Sequence, residues 1–156
     1  MPTFDHRRVV SGDIPDICEM QLAPFDYQEL LDVYDDTQTA QEALRDLCTR
    51  PYFEFSVFLI DDKPEAIFGL SGGSGCDSRV PWFLCTDKAR RYPKEILKRA
   101  AKVQKRWDRK GYTLSNWVKA DNTGARRLLK YLGYTVDTTS KTWGRSGAYH
   151  PFKKEN

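Results

Sequence analysis

Four basic residues, Lys88, Arg90, Arg91 and Lys94, crowd the start of a segment led by Pro93, a residue suited to the first turn of a helix. The amide end of a helix is already positive, so each cation placed there costs from a few tenths to about 1 kcal/mol. An anion reverses the sign of that cost: phosphate is at home at a helix N-terminus, and two arginines add charge-assisted hydrogen bonds. The same side chains read equally well as splayed into water. The onward run Lys98, Arg99, Lys102, Lys105, Arg106 and Arg109 reads as the solvated face of that helix. A nucleic-acid groove is the sharper alternative, not favoured, because Trp107 suits the core better than a base.

Other chemistries find little support. The 2 histidines, His6 and His150, lie near the two ends of the sequence, so a histidine-based triad is hard to assemble. The 4 cysteines, Cys18, Cys48, Cys76 and Cys85, are widely spaced and form no C-x-x-C pair, so no zinc site is readable. With no leader or long apolar run, free thiols in a reducing cytoplasm and no membrane association are expected. A net charge of +3 makes any basic feature local. At 156 residues and 40% hydrophobic content, a single domain over residues 1–156 with a real core is expected.

The elements that must position the basic turn follow from periodicity. His6 to Val10 reads as a short strand, and SGDIPDICEM carries the Asp and Pro signals of a helix start. Thr39 and Glu42 form a possible capping box ahead of a stripe at Ala40, Ala43, Leu44 and Leu47, which must end before Pro51. FEFSVFLI (Phe53 to Ile60) and EAIFGLS (Glu65 to Ser71) read as buried strands of one hairpin, and GGSGCDS breaks the pattern. VPWFLC (Val80 to Cys85) is a further strand, and Ile96, Ala100, Val103 and Trp107 share one face of a helix over Pro93 to Lys110. Gly111 ends it, TLSNWVKA is another strand, and Thr135 to Trp143 is β-rich enough to close the sheet. Between them, NTGARRLLKYLGY (Asn122 to Tyr134) places Ala125, Leu128, Leu129 and Leu132 on one stripe, with Asn122 or Asp121 as cap and Gly133 as the left-handed stop. Tyr134 then packs back on Leu129. The order makes an α/β chain, a mixed sheet covered by helices.

That order, ending in N-x-x-A-x-x-L-x-x-x-x-G-Y at Asn122, Ala125, Leu128, Gly133 and Tyr134, is similar to the GNAT acyltransferase superfamily. A closer likeness is to small GNAT-like proteins of tailed phages, historically called internal virion protein A. It rests on PWFLCTD (Pro81 to Asp87), the basic helix, NWV (Asn116 to Val118) and the final motif. The resemblance implies a GNAT-like mixed central sheet flanked by helices, with acetyl-CoA or a related acyl-CoA as the acyl donor. It also implies direct transfer to an amine of a protein, such as a host protein, or of a small molecule. The cytoplasm, that of a host cell for a phage-encoded chain, is the implied place of work, with the virion as another. The alternative is a non-catalytic phage protein that binds a host protein, a virion component or nucleic acid.

Carried onto this sequence, the likeness implies cofactor-binding residues Leu84, Cys85, Thr86, Arg90, Arg91, Tyr92, Lys94 and Asn122, with backbone at Leu84 to Thr86 orienting the thioester and holding its oxyanion. Two departures bear on this. The family's glycine-bearing pyrophosphate loop is replaced by TDKARRYPKEI, which has no glycine to let backbone approach phosphate closely. The tyrosine that often protonates the leaving thiolate is replaced by Leu129, and Tyr131 falls on another face of the helix. No general acid is therefore assigned. Asp77 and Asp87 are the carboxylates expected to flank the cleft, either as proton acceptors or as surface turn residues. Trp82, Phe83 and Trp117 are expected to line the acceptor pocket or to fill core.

Overall fold

The computed structural model describes residues 1–33, 39–73 and 75–156; Ser74, within the expected break, lies outside them. The elements are β1 (Phe4–Arg8), a 3-10 turn (Ser11–Asp13), α1 (Ile14–Cys18), α2 (Pro24–Val33), α3 (Ala40–Cys48), β2 (Glu54–Ile60), β3 (Lys63–Gly72) and β4 (Ser78–Cys85). They continue with α4 (Asp87–Arg90), α5 (Pro93–Asp108), β5 (Thr113–Lys119), α6 (Thr123–Tyr131), β6 (Thr135–Val136), β7 (Thr142–Gly144) and β8 (Gly147–Lys154). The eight strands form one sheet in the order β1-β2-β3-β4-β5-β8-β6, with β7 also paired to β8. All pairings are antiparallel except β4 with β5.

Both faces of the sheet are covered, which is why β2 and β3 read as almost unbroken apolar runs. Val57, Leu59, Ile67 and Leu84 face α1, α2 and α3, where Ile17, Leu30, Ala43 and Leu44 meet them. Phe58, Ile60, Phe68 and Cys85 face α4 and α5, and Leu114, Val118 and Phe152 continue that layer beneath α5 and α6. The β2–β3 hairpin turns on Asp61 and Asp62, both at positive φ (50° and 65°), as a two-residue turn matched to strand twist requires.

The expected caps form. Thr39 accepts from the Glu42 N–H, and Asn122 Oδ1 accepts from the Ala125 N–H at 3.2 Å. At the other end of α6, Gly133 sits at φ +96° and the Tyr134 N–H bonds the Leu129 carbonyl at 3.0 Å, the six-to-one link of a Schellman stop.

Three expectations need correction. The first strand runs Phe4–Arg8, set by its register against Ile60 to Ser56. The helix α2 has no counterpart in the periodicity reading, because its stripe is short and interrupted by Asp26, Glu29 and Asp32. The segment after α6 yields only the short β6 and β7; β8, beyond it, is the strand that lies against β5.

Candidate active site

The site begins with a strand pair that comes apart. β4 and β5 are in register only at Ser78–Thr113 and Arg79–Leu114. The Gly73 N–H bonds the Ser78 carbonyl and the Thr86 N–H bonds the Glu65 carbonyl, so even-numbered residues of β4 bond toward β3. Strand alternation then turns residues 79, 81, 83 and 85 toward β5. After Arg79 the next donor on that edge would be Pro81, which has no N–H. The ladder stops there, and the Asn116 side chain takes over by donating to the Pro81 carbonyl at 2.9 Å. Beyond this point the strands diverge around a cleft of about 1030 Å³.

The helix α2 stitches the separated strand ends. At the end of β4, Asp26 accepts from the Cys85 N–H at 3.1 Å and from its thiol at 3.2 Å, while the Ala23 N–H bonds the Cys85 carbonyl. At the end of β5, the buried Lys119 donates to Gln28 at 2.6 Å. Asp32, one turn on, accepts from the Ser146 N–H at 3.0 Å and from the hydroxyls of Ser146 and Tyr149. Gly144 permits that approach, since a Cβ there would stand 2.9 Å from the Asp32 carboxylate.

Between these anchors lies Glu29. Its Oε1 is buried without a hydrogen-bond partner among the described residues. Burial, and then the nearby Asp26 charge, push its pKa up to about 7, against smaller lowering effects from Asn122, Lys119 and Arg90. Burial also raises Asp26, with Arg90 at 3.6 Å opposing the shift. Burial raises Asp32 too, but the Ser146 and Tyr149 hydrogen bonds outweigh it and the carboxyl ends below its ordinary value. The Cys85 thiol is held protonated by burial and by Asp26, which removes it as a nucleophile at neutral pH.

The cleft passes through the sheet and so has two sides. Toward α5 and α6 it is lined by Phe83, Cys85, Pro93, Ile96, Leu128 and Leu129. This explains why the stripe of α6 leaves no residue of that helix fully buried: some of it is cleft wall. Toward α2 and α3 it is lined by Glu29, Asp32, Tyr52, Trp82 and Trp117.

The structure brings Leu84, Cys85 and Arg90 to the cleft wall. Thr86 is buried beside it, capping α4 through the Ala89 N–H and donating to Glu65 at 2.6 Å. Asn122 is 1% exposed and caps α6. Arg91 and Lys94 are exposed and Tyr92 half-buried, on the turn outside the lining. That turn is helical: the N–H groups of Arg90, Arg91 and Tyr92 bond the carbonyls of Thr86, Lys88 and Ala89, so they are committed internally. The Leu84 and Thr86 N–H groups serve β3 and that of Cys85 serves Asp26. Phe83 is therefore the residue whose N–H is aimed into the gap. Asp77 and Asp87 are exposed and do not line the cleft, which corrects their expected place beside it and leaves the surface reading: Asp77 lies in the turn before β4, and Asp87 opens α4. Glu29 went unread for want of α2; its signal was Pro24 ahead of acidic residues three apart in PFDYQELLD.

Among the described residues, no cluster of histidine, cysteine or carboxylate side chains could hold a metal ion, and no helix is long and apolar enough to cross a membrane.

No protein-family model and no curated protein matches the chain. Solved structures do. The chain is similar to a GCN5-related N-acetyltransferase from Kribbella flavida, at 20% identity, 98% coverage of each chain and a TM-score of 0.70. It is also similar to yncA of Salmonella typhimurium, solved with its cofactor acetyl-CoA, at 16% identity, 98% of this chain and 94% of that one, and a TM-score of 0.68. A GNAT-family acetyltransferase from Streptococcus pneumoniae matches at 12% identity, 98% and 99% coverage, and a TM-score of 0.60. The chain has the GNAT fold.

Proposed function

We propose that the protein is an acyl-CoA-dependent N-acyltransferase, with acetyl-CoA as the natural donor, that transfers the acyl group directly to an amine. The observation that carries this reading is the separated β4–β5 edge, where the Phe83 N–H faces a cleft that also holds the unpartnered carboxylate oxygen of Glu29. The binding of acetyl-CoA by the similar fold of the Salmonella protein supports the choice of donor.

The residues present fit a thioester. The cleft wall of Phe83, Leu128 and Leu129 suits an acyl-pantetheine arm, and the Phe83 N–H can donate to a carbonyl oxygen as it gains charge. Glu29, half-ionised near pH 7, can take the proton of an incoming ammonium. The amine nitrogen then bonds to the acyl carbon, the carbon–sulfur bond breaks, and the sulfur leaves as thiolate; the second proton, released by the nitrogen after it bonds, passes through water to that sulfur, since Leu129 offers no phenol. The pyrophosphate meets side chains: Arg90, Arg91 and Lys94, and the first free N–H groups of α5, take the place of a glycine-rich backbone cradle. Thr86, Tyr92 and Asn122 act by fixing the turn and α6.

Likeness to the tailed-phage proteins supports action in a host-cell cytoplasm, with carriage in the virion as a second setting. The committed amides of the α4 turn and Leu129 favour a second reading, a non-catalytic binding protein on the same fold. Calorimetry with acetyl-CoA and free CoA, paired with an assay for released thiol in the presence of amines, decides between them. Binding with amine-dependent thiol release is expected. Absence of acetyl-CoA binding overturns the transferase reading.

A further inference from the structure

The face of the cleft toward α2 and α3 is built for a particular kind of amine. Tyr52 and Trp82 stand with ring centroids 5.4 Å apart, and Phe55 backs both at 5.1 and 5.6 Å. Trp82 lies so close over Gly69 that a Cβ there would come within 2.0 Å of the indole. The sequence thus gives up a side chain in β3 to hold that ring flat against the sheet. Across the gap, Trp117 on β5 lines the same side of the cleft and remains 46% exposed, so about half of its surface is left open there. Three carboxylates of α2, Asp26, Glu29 and Asp32, border the cleft, and they are not equivalent: Asp26 is bound to the Cys85 N–H and thiol. Asp32 is committed to Ser146 and Tyr149, whereas Glu29 Oε1 has no partner among the described residues.

Aromatic walls and one unpartnered carboxylate oxygen are complementary to a cation carried on a flat apolar body. Ring faces attract both another ring and an ammonium group. Resting on the transferase reading above, we propose that the acyl acceptor is an arylalkylamine: a primary ammonium joined by a short chain to an aromatic ring. The ring stacks among Trp117, Trp82 and Tyr52, and the ammonium reaches Glu29. A plain alkylamine or a lysine side chain supplies the charge but leaves the aromatic walls without a partner. An aromatic amino acid adds a carboxylate beside Glu29 and Asp32.

The test compares tryptamine, hexylamine, tryptophan and a lysine-containing peptide as acceptors with acetyl-CoA, in wild-type protein and in Trp117→Ala and Trp117→Phe. Expected is a kcat/KM for tryptamine at least about fivefold above each of the others. That preference should collapse in Trp117→Ala and be largely kept in Trp117→Phe, with melting curves confirming that both variants fold. Equal or better turnover with hexylamine, tryptophan or the peptide overturns the inference and leaves the transferase reading standing, as does a preference that Trp117→Ala does not change. If acetyl-CoA does not bind, calorimetry with tryptamine alone still decides. Binding that is lost in Trp117→Ala sustains an arylalkylamine site, and no binding overturns it.

Discussion

Replacing Glu29 by glutamine should make the protein more stable and less active at once. In an unfolded chain this carboxyl titrates at its ordinary 4.5, and in the folded protein at about 7. The folded state therefore holds the proton more tightly than the unfolded one. No penalty exists below pH 4.5; it grows as pH rises through the interval and is complete above 7. At about 1.36 kcal/mol per pH unit of difference, ionised Glu29 costs on the order of 3 kcal/mol of stability in mild alkali. Glutamine keeps the shape of the neutral acid and removes that cost. For a chain of this size, about 2–4 °C per kcal/mol implies a melting temperature raised by up to about 10 °C at pH 8.5, with no difference at pH 4. Turnover should fall about 10²–10⁴-fold, and the rising limb of kcat/KM near pH 7 should vanish. Scanning calorimetry at the two pH values and thiol release from pH 5.5 to 9 supply the readings. A glutamine variant less stable than wild type at pH 8.5, or one turning over within a few-fold of it, refutes the assignment of Glu29 as a strained base.

Leu129→Tyr, at a half-buried position on the cleft wall, should raise turnover by offering the leaving sulfur a proton, at about 1–3 kcal/mol of stability from overpacking; unchanged turnover with intact acetyl-CoA affinity would show that no acid is needed there. Tyr131→Phe should alter thiol release little, because the side chain is 64% exposed on the rim, and a large loss would identify Tyr131 as the acid. Gly69→Ala must push Trp82 off the sheet, so near-UV circular dichroism should change and about 1–3 kcal/mol of stability should be lost; a neutral effect would contradict the packing. Arg91→Ala with Lys94→Ala should weaken acetyl-CoA binding by up to about 1.5–3 kcal/mol per charged hydrogen bond lost, less at high salt, and unchanged affinity in calorimetry would move the pyrophosphate elsewhere.

Local rules in the sequence determined much of the scaffold. The capped stripe of α6, the Thr39 cap of α3, the β2–β3 hairpin and the long α5 face are each fixed by neighbours within four or five residues, and each formed. Pro81 belongs with them, because a missing N–H in β4 is written in the chain; that it would open the sheet is not, since its consequence depends on β5 lying alongside. The helix α2 carries a weak stripe because its polar positions Asp26, Gln28, Glu29 and Asp32 meet groups distant in sequence, Cys85, Lys119, Asn122 and Ser146 with Tyr149 in turn, while Glu29 Oε1 alone keeps no partner among the described residues. For the same reason a carboxylate with a pKa near 7 cannot be seen in a string of letters. Burial and the neighbouring Asp26 charge raise it, and burial is a property of how α2 is laid across the open ends of β4 and β5. The committed amides of the α4 turn depend likewise on backbone geometry, which the absence of glycine constrains but does not specify. Short-range hydrogen bonds and periodicity chose the elements, and long-range packing decided which polar groups were left without partners and hence available for chemistry.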